Sequence, residues 1–120
     1  MAVLLLTGAG AVLLVLVTWT AATGLLPANG LVGLRTPALL QSEEGWRAGH
    51  LAALRVLLPV GVVVLGACGY VAAVRPWSPG TTGAVGGALL VVLIGAALLA
   101  TSLAHRRAKA VVPARSAGED

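Results

Sequence analysis

Asn29 to Arg55 reads N-G-L-V-G-L-R-T-P-A-L-L-Q-S-E-E-G-W-R-A-G-H-L-A-A-L-R. This stretch decides the fold because the sequence on either side is so unlike it. It holds Arg35, Glu43, Glu44, Trp46, Arg47, His50 and Arg55, whereas the rest of the chain up to His105 is almost entirely Ala, Val, Leu and Gly. Before it, Ala2 to Leu26 is an uncharged run of 25 residues. After it, Val56 to Val74 supplies 19 residues between Arg55 and Arg75, and Thr82 to Ala104 another 23. About 20 apolar residues suffice to cross a hydrocarbon core about 30 Å thick. A backbone in lipid must satisfy its own hydrogen bonds, so each run is expected to be a helix. The sequence therefore predicts an all-α integral membrane protein with three transmembrane helices and a structured polar loop, residues 27–55, between spans 1 and 2. Residues 1–110 read as a single three-helix membrane domain. Residues 111–120 mix Pro, Ala, Gly and charge without an apolar period and read as a disordered tail.

Composition points the same way. Of the 120 residues, 58% are hydrophobic and only 10% charged. A soluble domain carries about 25% charged residues, so this chain has too few to cover a water-facing surface. The first run lacks a positive n-region and exceeds the usual apolar length of about 7–15 residues for a cleaved leader, so it reads as a span. Cys68 is the one cysteine, which excludes an intrachain disulfide and any cysteine-built metal site. No cofactor, metal or nucleic-acid partner is expected. Within the spans the only ionisable groups are Cys68 and Tyr70. Proton-coupled transport normally uses carboxylates or bases inside the membrane, so that class is disfavoured.

Lys and Arg set the expected orientation. With three spans, the island and the C-terminal segment share one side of the membrane. Arg35, Arg47, Arg55, Arg106, Arg107, Lys109 and Arg115 fall on that side, and Arg75 alone on the other. The positive-inside rule places the island and C-terminus in the cytoplasm and the N-terminus outside the cell membrane. Pro76-Trp77-Ser78-Pro79-Gly80 reads as a tight turn, with Trp77 at the outer headgroup level.

Within the island, Asn29, Gly30 and Gly33 are residues that accept positive φ and turn the chain at the membrane exit. Thr36-Pro37 fits a helix cap followed by Pro at the first helical position, which predicts a short turn over Pro37 to Leu40. Ser42 followed by Glu43 and Glu44 predicts a second start, with a longer helix from Glu43 running straight into span 2. On that helix Glu43, Trp46, Arg47, His50 and Leu54 share a face. Glu44, a step round from Glu43, is placed to pair with Arg35. Gly45 and Gly49 form a small-xxx-small step that admits another helix. The plain alternative is an interfacial anchor, with Arg47 and Arg55 snorkelling and Trp46 at the headgroups. An enzyme is not expected: there is no HExxH, GxSxG or phosphate-loop motif, and Glu43 and His50 lie two turns apart.

The ordered pattern Asn29, Gly33-Leu34-Arg35-Thr36-Pro37, Ser42-Glu43-Glu44, Trp46 and His50 resembles the signature of the SdpI family. These are bacterial membrane proteins named for an immunity protein against a sporulation-delaying toxin. This chain looks like a short, three-span form. The resemblance implies that Asn29, Gly33, Arg35, Thr36, Pro37, Ser42, Glu43, Trp46, Arg47 and His50 make up a partner-binding or signature loop. It implies a non-enzymatic role: immunity to a peptide toxin, or sequestration and signalling through a soluble regulatory protein. In that reading Arg35 fixes the loop, and Trp46 and His50 form the contact face. The competing class is a small oligomeric channel or transporter subunit, assembled from copies of the chain through Gly83 and Gly87.

Overall fold

Helix α1, Ala2–Ala22, is followed by a short helix α2, Pro37–Leu40, then by α3, Glu43–Ala73, and α4, Pro79–Glu119. The structure is a computed structural model that describes residues 1–29, 33–34, 36–74 and 77–119, with side chains as far as residue 111. Arg35, Gly30 and Pro76 lie outside the described residues. Ala2–Ala22, Glu43–Ala73 and Pro79–Val111 are each long and apolar enough to cross a membrane. The chain is thus a multi-pass, all-helical membrane protein, as its hydrophobic runs predict.

The helices form an up-down-up rod, 65 × 22 × 21 Å. Central α3 packs against both α1 and α4. A Cβ on Gly61 would lie 2.7 Å from Val15 Cγ2 of α1, and one on Gly86 of α4 would lie 3.0 Å from the Leu4 backbone nitrogen. These two positions need glycine because the neighbouring helix occupies the space of a side chain. Thr7 ties the second crossing, donating to Val3 O at 2.8 Å and reaching Gly86 O at 3.2 Å. One cluster of buried side chains, with Leu4, Val64 and Leu93, lies where α1 begins. The other, with Trp46, Leu39, Leu57 and Ala104, lies at the loop end.

Three element boundaries differ from the sequence reading. The first helix stops at Ala22, short of Leu26, because Thr23 caps it and Gly24 turns the chain at φ +84°. A glycine in the left-handed region just past the last turn is the usual helix stop. Helix α4 starts at Pro79, ahead of Thr82, since Ser78 Oγ accepts the Thr81 N–H at 3.1 Å and Pro79 takes the first turn. It also continues through residues 111–119, where a disordered tail is expected. Once a long span has nucleated a helix, extending it needs no further nucleation.

At about 1.5 Å per residue, the 31 residues of α3 extend roughly 46 Å. That exceeds a hydrocarbon core of about 30 Å by roughly three turns. The apolar part begins at Val56, so the excess is the segment Glu43 to Arg55. The sequence-predicted site residues from Glu43 to His50 stand on a helix prolonged beyond its apolar run.

Candidate functional site

The two start signals form as the sequence predicts. Thr36 caps α2, its Oγ1 accepting the Leu39 N–H at 3.4 Å, and Pro37 occupies the first position. Ser42 caps α3, its Oγ accepting the Gly45 N–H at 2.9 Å, with Glu43 and Glu44 in the first turn. A side-chain cap of this kind contributes about 1 kcal/mol.

The connection leaving α1 is bound to the face of α3. Trp46 Nε1–H donates to Leu26 O at 2.9 Å. The Ala28 N–H donates to Glu43 Oε1 at 3.0 Å, and the Leu34 N–H donates to His50 Nε2, also at 3.0 Å. Asn29 Nδ2 donates to Pro27 O at 2.8 Å, closing a local turn. Three side chains of α3, spaced three or four residues apart, thus serve backbone groups of a loop with no ladder of its own. A buried loop without such partners would leave costly unpaired polar groups.

His50 is held at both ring nitrogens. Nε2 accepts from Leu34, so the ring proton sits on Nδ1 and is donated to Trp46 O at 2.7 Å. The Trp46 and His50 rings lie 4.3 Å apart at 45°. Gly33, at φ +101°, covers them: a Cβ there would sit 2.9 Å from Trp46 Cη2 and 3.1 Å from His50 Nε2. Position 33 therefore requires glycine twice over, for its backbone angle and for the approach of the two rings.

Trp46 and His50 are both 0% exposed. The expectation that they form a contact face is corrected: they are the internal clamp, buried because the loop folds over them. Their periodicity places them on one face of α3 but is silent about what covers that face. Among the described residues of the site, Pro37, Leu40, Gln41, Glu43, Glu44 and Arg47 are exposed between the first turn of α2 and His50. Glu43, Glu44, Arg47 and Ala48 line an open depression of about 760 Å³. Arg35 and its expected pairing with Glu44 lie outside the described residues. Arg47 instead packs against Gly24, where a Cβ would lie 2.8 Å from its guanidinium carbon. That places a cation beside the C-terminus of α1, where the helix dipole favours it by about 0.3–1 kcal/mol. Gly24 was missed by the sequence reading. The available signal was a glycine two residues past the last turn of an apolar run.

The Gly45–Gly49 step receives both neighbours. A Cβ on Gly45 would lie 3.3 Å from Ala38 O and 3.6 Å from Ala108 Cβ; one on Gly49 would meet Leu39 Cδ2 and lie 2.9 Å from Ala104 O. Helices α2 and α4 are locked here to the same turns of α3 that hold the loop. Among the described residues, no three of His, Cys, Asp and Glu converge as metal ligands.

His50 stands before the membrane-spanning part of α3, which begins at Val56. Burial pushes its pKa below the ordinary value, against a smaller upward effect of the Trp46 carbonyl. The unfolded loop therefore takes up a proton at higher pH than the folded one does. Docking is strongest above about pH 6.5 and weakens as pH falls below it towards the lower folded value. Protonation also turns Nε2 from acceptor into donor and breaks the Leu34 bond. Protection of the Leu34 amide, its exchange relative to the free peptide at the same pH, is expected to be weaker at pH 5 than at pH 8, and His50→Gln is expected to flatten that dependence. A protection that does not change with pH in the unsubstituted protein contradicts this role for His50.

The model of the SdpI/YfhL protein family matches residues 25–103, which takes in the loop, α2, α3 and most of α4. No curated protein and no solved structure matches the chain.

Proposed function

The chain belongs to the SdpI/YfhL protein family, and from that premise we propose that it is a non-enzymatic protein of the bacterial cell membrane that acts through its 27–55 loop. The loop and C-terminus face the cytoplasm and the N-terminus faces outward. The loop protects the membrane against a peptide toxin, or holds a soluble regulator at the bilayer. The observation that carries this reading is the clamp. Three α3 side chains hold Leu26, Ala28 and Leu34 of the loop, and Gly33 packs on two of them, beside the exposed Glu43, Glu44 and Arg47, which lowers the ordering cost of binding there.

Protection of sensitive cells against a membrane-active peptide toxin tests the proposal. Glu44→Lys reverses an exposed charge and removes none of the Glu43, Trp46 and His50 bonds to the loop. It is expected to lower protection at least tenfold with membrane insertion unchanged. A photocrosslinker at exposed position 40 is expected to capture the peptide or one soluble protein. Full protection by Glu44→Lys, together with no crosslink from position 40, would end this reading.

One observation supports the oligomeric channel or transporter subunit as a second reading. Among the described residues, no atom beyond their own turn of helix lies within 4 Å of a would-be Cβ on Gly83 or Gly87 of α4, which leaves room there for another copy. Only in that reading should Gly83→Leu with Gly87→Leu destroy activity while island variants keep it.

A further inference from the structure

We propose that the groove between α3 and α4 at the loop end is a binding site for the headgroup of an anionic phospholipid. Arg55 of α3 and Arg106 and Arg107 of α4 line this groove, an open cavity of about 440 Å³. Its remaining wall is apolar, including Ala52, Val56 and Leu103, and among the described residues no acid lines it. Arg55 stands 51 residues before the adjacent Arg106 and Arg107, and the antiparallel packing of α3 and α4 brings them to one place. All three are exposed. They sit where the apolar runs end, Arg55 just before Val56 and Arg106 just after Ala104 and His105. That is headgroup depth.

The chemistry fits a phosphodiester with an attached acyl chain. Guanidinium groups match phosphate oxygens in planar, two-point fashion. Three cations without a carboxylate in the wall repel one another until an anion fills the groove. The apolar strip from Val56 and Leu103 leads from the arginines into the membrane-spanning part of the bundle and gives an acyl chain a path. Basic pockets between transmembrane helices at the cytoplasmic side take anionic headgroups on the same principle. A freely diffusing phosphate would use the arginines and gain nothing from the apolar strip, so the geometry favours the lipid. The site is separate from the Trp46–His50 clamp and does not depend on the function proposed for the loop.

The test uses the full chain in detergent, with thermal unfolding followed as lipid is added. Phosphatidylglycerol is expected to raise the midpoint, with phosphatidylcholine and inorganic phosphate at the same concentration having little effect. Arg106→Gln and Arg55→Gln are each expected to weaken the phosphatidylglycerol effect at least fivefold. Lys109→Gln removes the same charge from a residue that does not line the groove and is expected to retain it. Should Lys109→Gln weaken binding as much as Arg106→Gln, the attraction is diffuse and the site is refuted. Equal stabilisation by inorganic phosphate would also overturn the proposal, in favour of a soluble anion. If a glutamine variant fails to fold, native mass spectrometry of retained phosphatidylglycerol on the unsubstituted chain and on Arg107→Lys decides. Equal retention of phosphatidylcholine by the unsubstituted chain refutes the site. Preferential retention of phosphatidylglycerol, reduced in Arg107→Lys, supports it.

Discussion

Trp46→Ala is expected to free the loop from α3 while the three spans remain in the membrane. The indole is the largest fully buried side chain of the protein. Emptying such a site costs about 3–5 kcal/mol. The same change removes the bond to Leu26 O and opens the space beneath Gly33. The spans need none of these contacts, because each satisfies its own backbone in lipid. The loss therefore falls on loop docking, and about 1.4 kcal/mol corresponds to a tenfold change in a population. Two amides report it directly: Ala28, bonded to Glu43, and Leu34, bonded to His50. Their hydrogen exchange is expected to accelerate at least a hundredfold. Trp46→Phe keeps most of the apolar bulk and loses only the Nε1 bond, so about 1 kcal/mol and a much smaller acceleration are expected. Unchanged exchange at both amides in Trp46→Ala would show that the loop is held by something else.

Gly49→Leu is expected to push α2 and α4 away from α3 at the loop end. No side chain fits there, since Leu39 and the Ala104 carbonyl already fill the position. Leu39 can give way, but the carbonyl belongs to a helix backbone and moves only if α4 moves. Overpacking of this kind costs about 1–3 kcal/mol and more when backbone must shift. A lowered unfolding midpoint in detergent is expected, with loss of cysteine crosslinking between positions 45 and 108, where a Cβ on Gly45 would lie 3.6 Å from Ala108 Cβ. Gly66→Leu on the same helix is the control, because nothing lies within 4 Å of its would-be Cβ. Equal midpoint losses in the two variants would mean that leucine is disfavoured in this helix generally, and that the close packing at Gly49 is not its cause.

Much of the site was legible because its signals are local. Thr36-Pro37 and Ser42-Glu43-Glu44 announce helix starts through groups only three residues away, and α2 and α3 begin at those places. The Gly45–Gly49 spacing announces a close neighbour without saying which one. The end of α1 was placed too late because Leu25 and Leu26 are as apolar as a span, and hydropathy does not register the capping glycine at position 24. Trp46 and His50 were placed on the correct face and given the wrong neighbour. Trp46 at a membrane edge satisfies the pattern of an interfacial anchor as well as that of a core residue.

The sequence by itself determined that the protein lives in lipid, that it crosses three times, and where its polar chemistry is concentrated. Those properties follow from apolar length and local capping, which act within one segment at a time. Only the tertiary structure decided that Trp46 and His50 face inward and that Gly33 and Gly24 are points of close approach. It also decided that Arg55 meets Arg106 and Arg107. Each of these depends on which segments return to the same place, and that is set by antiparallel packing of helices far apart in the chain.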